Sequence, residues 1–500
     1  MSNFSQLPQN ISLPAELAVR DIDPAMPPDA RSNSIRVYAT NNPTVTGNFS
    51  TGTTANATVA DQAFPSSQIV FDIPTSQSPD TWLDTRLSTI SFRAIVKVES
   101  ATVGDIVLAG ATLRSSAYSY FSNLQVNGQN GGQLENISEF GLVADTLIQG
   151  QLSNSDREGL FNFGFKSNFG ATSATAGNPV FTNTGHDFPV LTKNPLVAYD
   201  SVSYNYSVPL LSSTVGVLAD KMFPVGLTKK LSVILTTDSI LPVTLVTAVG
   251  GTTGTTISIT LTDFFLNLET IKIGDSAMNS IISSLHDGKM YLHGQTYRTT
   301  TSLIPATTTG SITLPVGVTG TSVRSLFTRF SEGTTKFWGK YNSTNPSINN
   351  FSYNIGGLNY PSAPYNPSLH PAVSWRSFQI AMGNFNSTTM KSGIIAGTYC
   401  RLSAGGVISA GNSGHQNSQD ALYGTVADNV LYQGTFILGE NLETVPKRGL
   451  ISGKDLTFQK VNLQIGLARS NTYAMNVYVT ALMDTITIVD VYNGDVITIQ

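Results

Sequence analysis

The residues from which this 500-residue chain could build a chemical site are few: five histidines, one cysteine and some neighbouring carboxylates. His186, His286, His293, His370 and His415 are scattered, and the closest two, His286 and His293, lack any carboxylate-rich ligand spacing. Cys400 alone can form neither an intrachain disulfide nor a cysteine-based zinc cluster. The segment IKIGDSAMNS (271–280) leads a strand into Gly-Asp-Ser and then a helix, as the nucleophile block of GDS-type esterases does, with Ser276 as nucleophile. That chemistry needs a histidine base with an aspartate three positions upstream, and none of the five histidines has one. Asp275 and Ser276 read more simply as a helix N-cap. GKM (288–290), GKY (339–341) and GKD (453–455) lack the upstream glycine and following Ser/Thr of a phosphate-binding loop. Asp80 with Asp84, and Glu440 with Glu443, could serve a glycosidase, but 32 acidic residues produce such neighbours by accident. Asn-x-Ser/Thr sequons reflect a composition rich in those residues. No catalytic, cofactor-binding or metal-binding residue is assigned, no cofactor is expected, and the chain reads as a non-enzyme.

Composition supports that reading. Only 12% of residues are charged, against a globular norm nearer a quarter, and 43 glycines with abundant Ser, Thr and Asn fill the difference. A hydrophobic content of 40% with mean hydropathy +0.03 is too apolar for a disordered chain. The formal charge of −4 and pI of about 5.7 exclude a globally basic nucleic-acid binder. The start, MSNFSQLPQN, has neither a basic n-region nor an apolar h-region, and no run approaches the length of a membrane span. The expectation is a protein made in the cytosol and not secreted.

The elements that would position any site are mostly strands. In LSTISFRAIVKV, Ile90, Phe92, Ala94, Val96 and Val98 alternate with Ser91, Arg93 and Lys97, the period of a half-buried strand. The same alternation recurs at Leu231, Val233 and Leu235, at Ile257, Ile259 and Leu261, and at Met475, Val477, Val479 and Ala481. Turn signals at Asn127–Gly128, Gly356–Gly357 and Asn493–Gly494 separate such runs, which points to a sandwich or barrel. Three apolar stripes predict short helices: Met278, Ile281, Ile282 and Leu285 behind Asp275; Ile137, Phe140, Ala144 and Leu147; and Phe378, Ala381, Met382 and Phe385. Residues 1–65, punctuated by Pro8, Pro14, Pro24, Pro27, Pro28 and Pro43, read as an extended N-terminal arm. A faint duplication links YFSNLQVNG (120–128) to NFSYNIGG (350–357), each followed by a polar loop and an amphipathic helix, with the seam expected within 247–256.

Four places resemble the double jelly-roll major capsid proteins of tailless icosahedral double-stranded DNA viruses and virophages. FDIPTSQSPDTWLDTRLSTISFRAIVKV (71–98) is similar to their opening strands, and SAYSYFSNLQVNGQNGGQLENISEFGLVADTLI (116–148) to the strand, turn and helix of the first roll. KMFPVGLTKKLSVILTT (221–237) is similar to its closing strand, and SVRSLFTRFSEGTTKFW with FSYNIGGLNYPSAPY (322–338, 351–365) to the matching part of the second. The resemblance spans residue 65 to the end through individually weak patterns.

It implies an all-β fold of two tandem eight-stranded antiparallel jelly-roll sandwiches with a few short helices: the arm at 1–65, a first roll at 66–250 and a second at 251–500. It implies a capsid protein that assembles into homotrimeric, pseudo-hexagonal capsomers of an icosahedral virion. Its partners would be copies of itself, neighbouring capsomers, penton and minor capsid proteins, with an internal membrane as a further candidate. Stretches 300–322 and 400–430 would be connecting loops on the outer face. The arm sets Arg20, Arg31 and Arg36 against Glu16, Asp21, Asp23 and Asp29, so it cannot neutralise phosphates and no direct or sequence-specific genome contact is expected. The alternative reading is a β-sandwich viral spike, fibre or adhesin that binds a host surface.

Overall fold

The computed structural model describes residues 31–50, 64–75, 78–100, 107–113, 115–153, 156, 164, 172–175, 178–181, 191–192, 199–239, 243–249, 255–332, 339–341, 343–384, 392–394, 399, 435–443, 452–470 and 474–500. The arm at 1–30 and 51–63, His186, Phe385 and the stretch 400–430 with its Cys400 and His415 lie outside them.

In the first half the strands are β1 (Arg31–Tyr38), β2 (Val45–Ser50), β3 (Gln68–Ile73), β4 (Thr81–Ser100), β5 (Val107–Leu113), β6 (Phe121–Asn127) and β7 (Gln133–Ser138). Helix α1 (Phe140–Gln151) follows, then β8 (Thr172–Thr175), β9 (Asn178–Phe181), β10 (Leu191–Thr192), β11 (Tyr199–Pro209), β12 (Leu231–Thr237), β13 (Val243–Val249) and β14 (Thr255–Lys272). Helix α2 (Asp275–Ser284) leads to the second half. There the order is β15 (Lys289–Ile304), β16 (Gly310–Val316), β17 (Val323–Glu332), β18 (Ile348–Ile355), β19 (Leu358–Tyr365), helix α3 (Pro371–Ala381), β20 (Ile437–Asn441), β21 (Val461–Leu467), β22 (Met475–Asp490) and β23 (Val496–Ile499).

Strand pairing shows what these pieces make. In the first half one sheet runs β1-β14-β4-β11 and its partner β3-β12-β6-β7; in the second the sheets run β15-β22-β17-β20 and β16-β21-β18-β19. Each half therefore threads eight antiparallel strands through two four-stranded sheets in the same order, which is the jelly roll. The duplication read from YFSNLQVNG and NFSYNIGG coincides with this repeat: β6 and β18 hold equivalent places, and α1 and α3 follow the equivalent strands β7 and β19. Accessory strands decorate the first roll, with β2 paired to β14 and a small β10-β5-β13 sheet beyond the ends of β4 and β14.

The alternating residues face inward as their period requires. Ile90, Phe92 and Ala94 of β4, Leu231, Val233 and Leu235 of β12, and Val477, Val479 and Ala481 of β22 are buried. Phe92 sits among the rings of Tyr120, Phe121, Tyr206 and Phe264 at centroid distances of 5.3 to 5.7 Å. In the second roll Phe351 packs on Tyr353 and Tyr365, and Phe436 on Phe330 and Tyr399.

Several local expectations change. Arg31–Tyr38 and Val45–Ser50, placed in the extended arm, are strands that pair with β14. The partner strand β14 (Thr255–Lys272) extends the first roll beyond residue 250, so α2 rather than 247–256 connects the halves. The stretch 300–322 is no irregular loop: it holds the end of β15 and all of β16. Asp275 is the first residue of α2 and Gly274 is its N-cap. Ile137 belongs to β7, with α1 starting at Phe140.

Candidate functional site: the junction between the two rolls

The sequence-level candidates do not converge. Ser276 lies in the first turn of α2, whereas His293 lies within β15 and His370 caps α3. Asp84 pairs with Arg86 at 3.4 Å, and Glu443 with Arg324 at 2.6 Å, a guanidinium that Asp484 shares at 3.7 Å. Glu440 approaches Ser377 of α3 at 3.4 Å. Burial pushes its carboxyl up to about 7, and the Ser377 hydroxyl opposes this only in part. Among the described residues no group of three or more His, Cys, Asp or Glu could hold a metal ion.

The chemistry-bearing side chains gather elsewhere, at the seam between the rolls. Helix α1 is buried along Phe140–Gly150, which is unusual for a helix on a sandwich and means that it is covered from both sides. Two glycines permit that approach. A Cβ on Gly141 would collide with the Tyr341 hydroxyl and lie 2.9 Å from the Ser119 Cα, and one on Gly150 would run into the Met382 side chain and lie 3.0 Å from the Phe378 ring. Tyr341, Phe378 and Met382 all belong to the second half, and the core of the first roll continues through Phe327, Phe378, Ala381, Met382 and Leu482 without a break.

An aspartate in the middle of such a helix must be paired. The Asp145 carboxylate, fully buried, accepts from Arg329 Nη1 of β17 at 2.6 Å, from Ser115 at 2.5 Å and from Gln149 at 2.7 Å. Arg329, only 2% exposed, also donates to Thr146 Oγ1 at 3.1 Å and to the Tyr341 carbonyl at 3.0 Å. A second group lies beside it. Lys340 donates to Glu139 at 2.7 Å and to Asp238, bringing together the entry to α1, the end of β12 and the second roll. Burial alone would lower the Lys340 pKa; the neighbouring Tyr341, Asp238 and Glu139 outweigh it and hold the ammonium well above the ordinary lysine value. Glu139 adopts a left-handed backbone conformation, φ 53°, to cap α1.

A third group uses no cation. Glu135 of β7 accepts from Ser212 Oγ at 2.6 Å, from the Ser213 N–H at 2.9 Å and from Thr296 Oγ1 of β15 at 2.9 Å. Burial raises its pKa, and these donors moderate the rise. Backbone bonds reinforce the seam: Asp220 N–H to the His293 carbonyl at 2.9 Å, Gln295 N–H to the Leu218 carbonyl at 3.0 Å and Lys229 N–H to the Gly494 carbonyl at 3.2 Å. Sequence reading set Lys340 aside as part of a failed phosphate loop and did not single out Arg329 or Asp145. The signal available was local: in LFTRF and GLVADTLI a lone charge interrupts an apolar run. Such a charge must find a partner elsewhere in the fold.

This arrangement is a double jelly roll in which the core of the first half reaches into side chains of the second, the second keeps a core of its own, and a paired, hydrogen-bonded seam lies between them. No family model matches the chain, and no match is found among curated proteins. Solved structures do match. The chain is similar to the Faustovirus major capsid protein, with a TM-score of 0.50 and 10% identity over 91% of this chain and 90% of that one. It also aligns with a chain of the Sputnik virophage (TM-score 0.49, 13% identity, 91% and 88% covered) and with the mavirus major capsid protein (0.44, 10%, 91% and 90%). The resemblance read from the sequence is thus the one that structure comparison returns, and at this identity it establishes the fold.

Proposed function

We propose that the protein is a viral major capsid protein that self-assembles into homotrimeric, pseudo-hexagonal capsomers. The observation that carries the reading is the repeated jelly-roll order in both halves, matched over 91% of the chain by the Faustovirus major capsid protein. What a shell protein of this build must hold constant is the angle between its two sandwiches, because three copies present six of them around one axis. The buried seam provides that constancy. The division supporting this is 31–272 for the first roll and 289–500 for the second, joined by α2. Neighbouring capsomers, penton and minor proteins and an internal membrane are the proposed partners, in a virion assembled from protein made in the host cytosol. The fold match does not favour a spike, fibre or adhesin.

The test is the mass of the purified protein by light scattering. A species of about 160 kDa, three copies of the 53.3 kDa chain, supports the proposal, and a stable monomer at all accessible concentrations refutes it.

A further inference from the structure

The seam contains a lysine that salt bridging alone does not require to be so placed. Lys340 Nζ touches the carboxylates of Asp238 and Glu139, and the side chains of Lys340 and Asp238 are 11% and 7% exposed. Leu142, Tyr341 and Tyr478 form a small separate apolar cluster at this seam, and the Lys340 ammonium lies 5.7 Å from the Tyr341 ring centroid. Burial, with the Glu139 carboxylate next, pushes the Tyr478 phenol up to about 12, an independent sign that Tyr478 shares this poorly hydrated surround. Glu139 is the most open of the three ionisable groups, at 30%. The site therefore holds an amine, a carboxylate in contact with it and a second carboxylate on the same nitrogen, against an apolar wall.

We propose that Lys340 and Asp238 condense to an intramolecular isopeptide bond that covalently joins the two rolls, with Glu139 relaying the proton. The reactants are the ion pair itself. An ammonium and a carboxylate together contain the atoms of one amide and one water, so no oxidant, reductant or activating group is needed. Glu139 takes a proton from Lys340 Nζ; the freed lone pair attacks Asp238 Cγ; the C–N bond forms as a C–O bond breaks. Glu139 returns the proton to the departing oxygen, which leaves as water with a second proton from the nitrogen. In bulk water hydrolysis wins. In this site the opposing factors change: burial of Lys340 and Asp238 keeps most bulk water from the contact, and fixed contact supplies an effective molarity of about 10⁵ M or more, so the ammonium that the carboxylates hold charged gives up its proton as the C–N bond forms. Glu139's partial exposure gives the water a way out.

The bond would tie the end of β12 to the loop after β17, across the same seam that Arg329 and Asp145 close by charge alone. This role is separate from the capsid reading. The two can fail independently, since a cross-linked monomer or an uncross-linked trimer is equally possible to observe.

Intact mass of the purified full-length protein tests it. The expected result is a mass about 18 Da below that of the sequence, the loss of one water. Tryptic digestion should yield Leu231–Lys272 linked to Phe337–Arg376, the latter uncut at Lys340. Lys340→Arg and Glu139→Gln, both still able to hydrogen-bond at the seam, should return to full mass. Wild-type protein at full mass, or a linkage that maps to another pair, overturns the proposal, and a Glu139→Gln protein that still loses water overturns the relay. Because the wild-type mass alone decides the bond, misfolding of either variant leaves the test intact.

Discussion

Replacing Arg329 by methionine keeps most of the side-chain volume and removes the guanidinium, which leaves the fully buried Asp145 carboxylate facing a hydrocarbon. Three hydrogen bonds disappear, of 2.6, 3.1 and 3.0 Å, while Asp145 keeps its donors Ser115 and Gln149. Breaking a buried pair costs about 3–5 kcal/mol, against 1 kcal/mol or less for an exposed one, and the two surviving donors place this case near the lower figure. Arg329→Met should therefore lose about 3 kcal/mol. Combining it with Asp145→Asn, which removes the stranded charge, should recover about 1–2 kcal/mol. Urea unfolding reads this in both halves at once, because Trp82 packs against the first core and Trp375 against the second. Variants that retain one of these tryptophans should show coincident transitions with Arg329 present and separated transitions without it. A loss below about 1 kcal/mol with the transitions still coincident would show that the seam does not depend on this pair.

Other expectations follow from single neighbourhoods. Glu440 is protonated in the fold up to about pH 7 and in the unfolded chain only up to its ordinary value of 4.5, so its stabilising contribution is complete below 4.5 and lost as pH rises through 7. Glu440→Gln should then exceed wild type by on the order of 3 kcal/mol at mildly alkaline pH and match it in acid, as read from urea midpoints at both. Gly150→Val should cost about 1–3 kcal/mol in the same assay, because Met382 and Phe378 occupy the space its side chain needs. Phe92→Ala, which empties the centre of a five-ring cluster, should cost about 3–5 kcal/mol and lower the soluble yield. Filter binding of the isolated protein to duplex DNA should show no steep salt dependence; tight binding lost between low and moderate salt would contradict the reading of the arm.

Much of the architecture was legible because half-buried strands advertise their period. β4, β12 and β22 each carry an alternating apolar run in the sequence whose residues are buried in the fold, and the Phe-Ser strand before each Gly turn marked β6 and β18 as equivalent. The strands that escaped are edge strands. β1 pairs on one side only and is exposed along most of its length, so RSNSIRVY carries too few apolar residues to register. β16 ends one sheet and tolerates Pro315, and the Thr-rich end of β15 looks like loop for the same reason of exposure. The seam was less legible. Asp145, Arg329 and Lys340 come from positions up to 195 residues apart and are unremarkable until the fold brings them together.

The central claim is that three copies of one rigid, two-roll body form the working unit. Electron microscopy of the purified assembly viewed down its symmetry axis tests it most directly. The account predicts a three-fold particle with a hexagonal outline and six sandwich-sized densities around the axis. A rod, or a particle in which the two rolls of one chain take variable relative orientations, would contradict it.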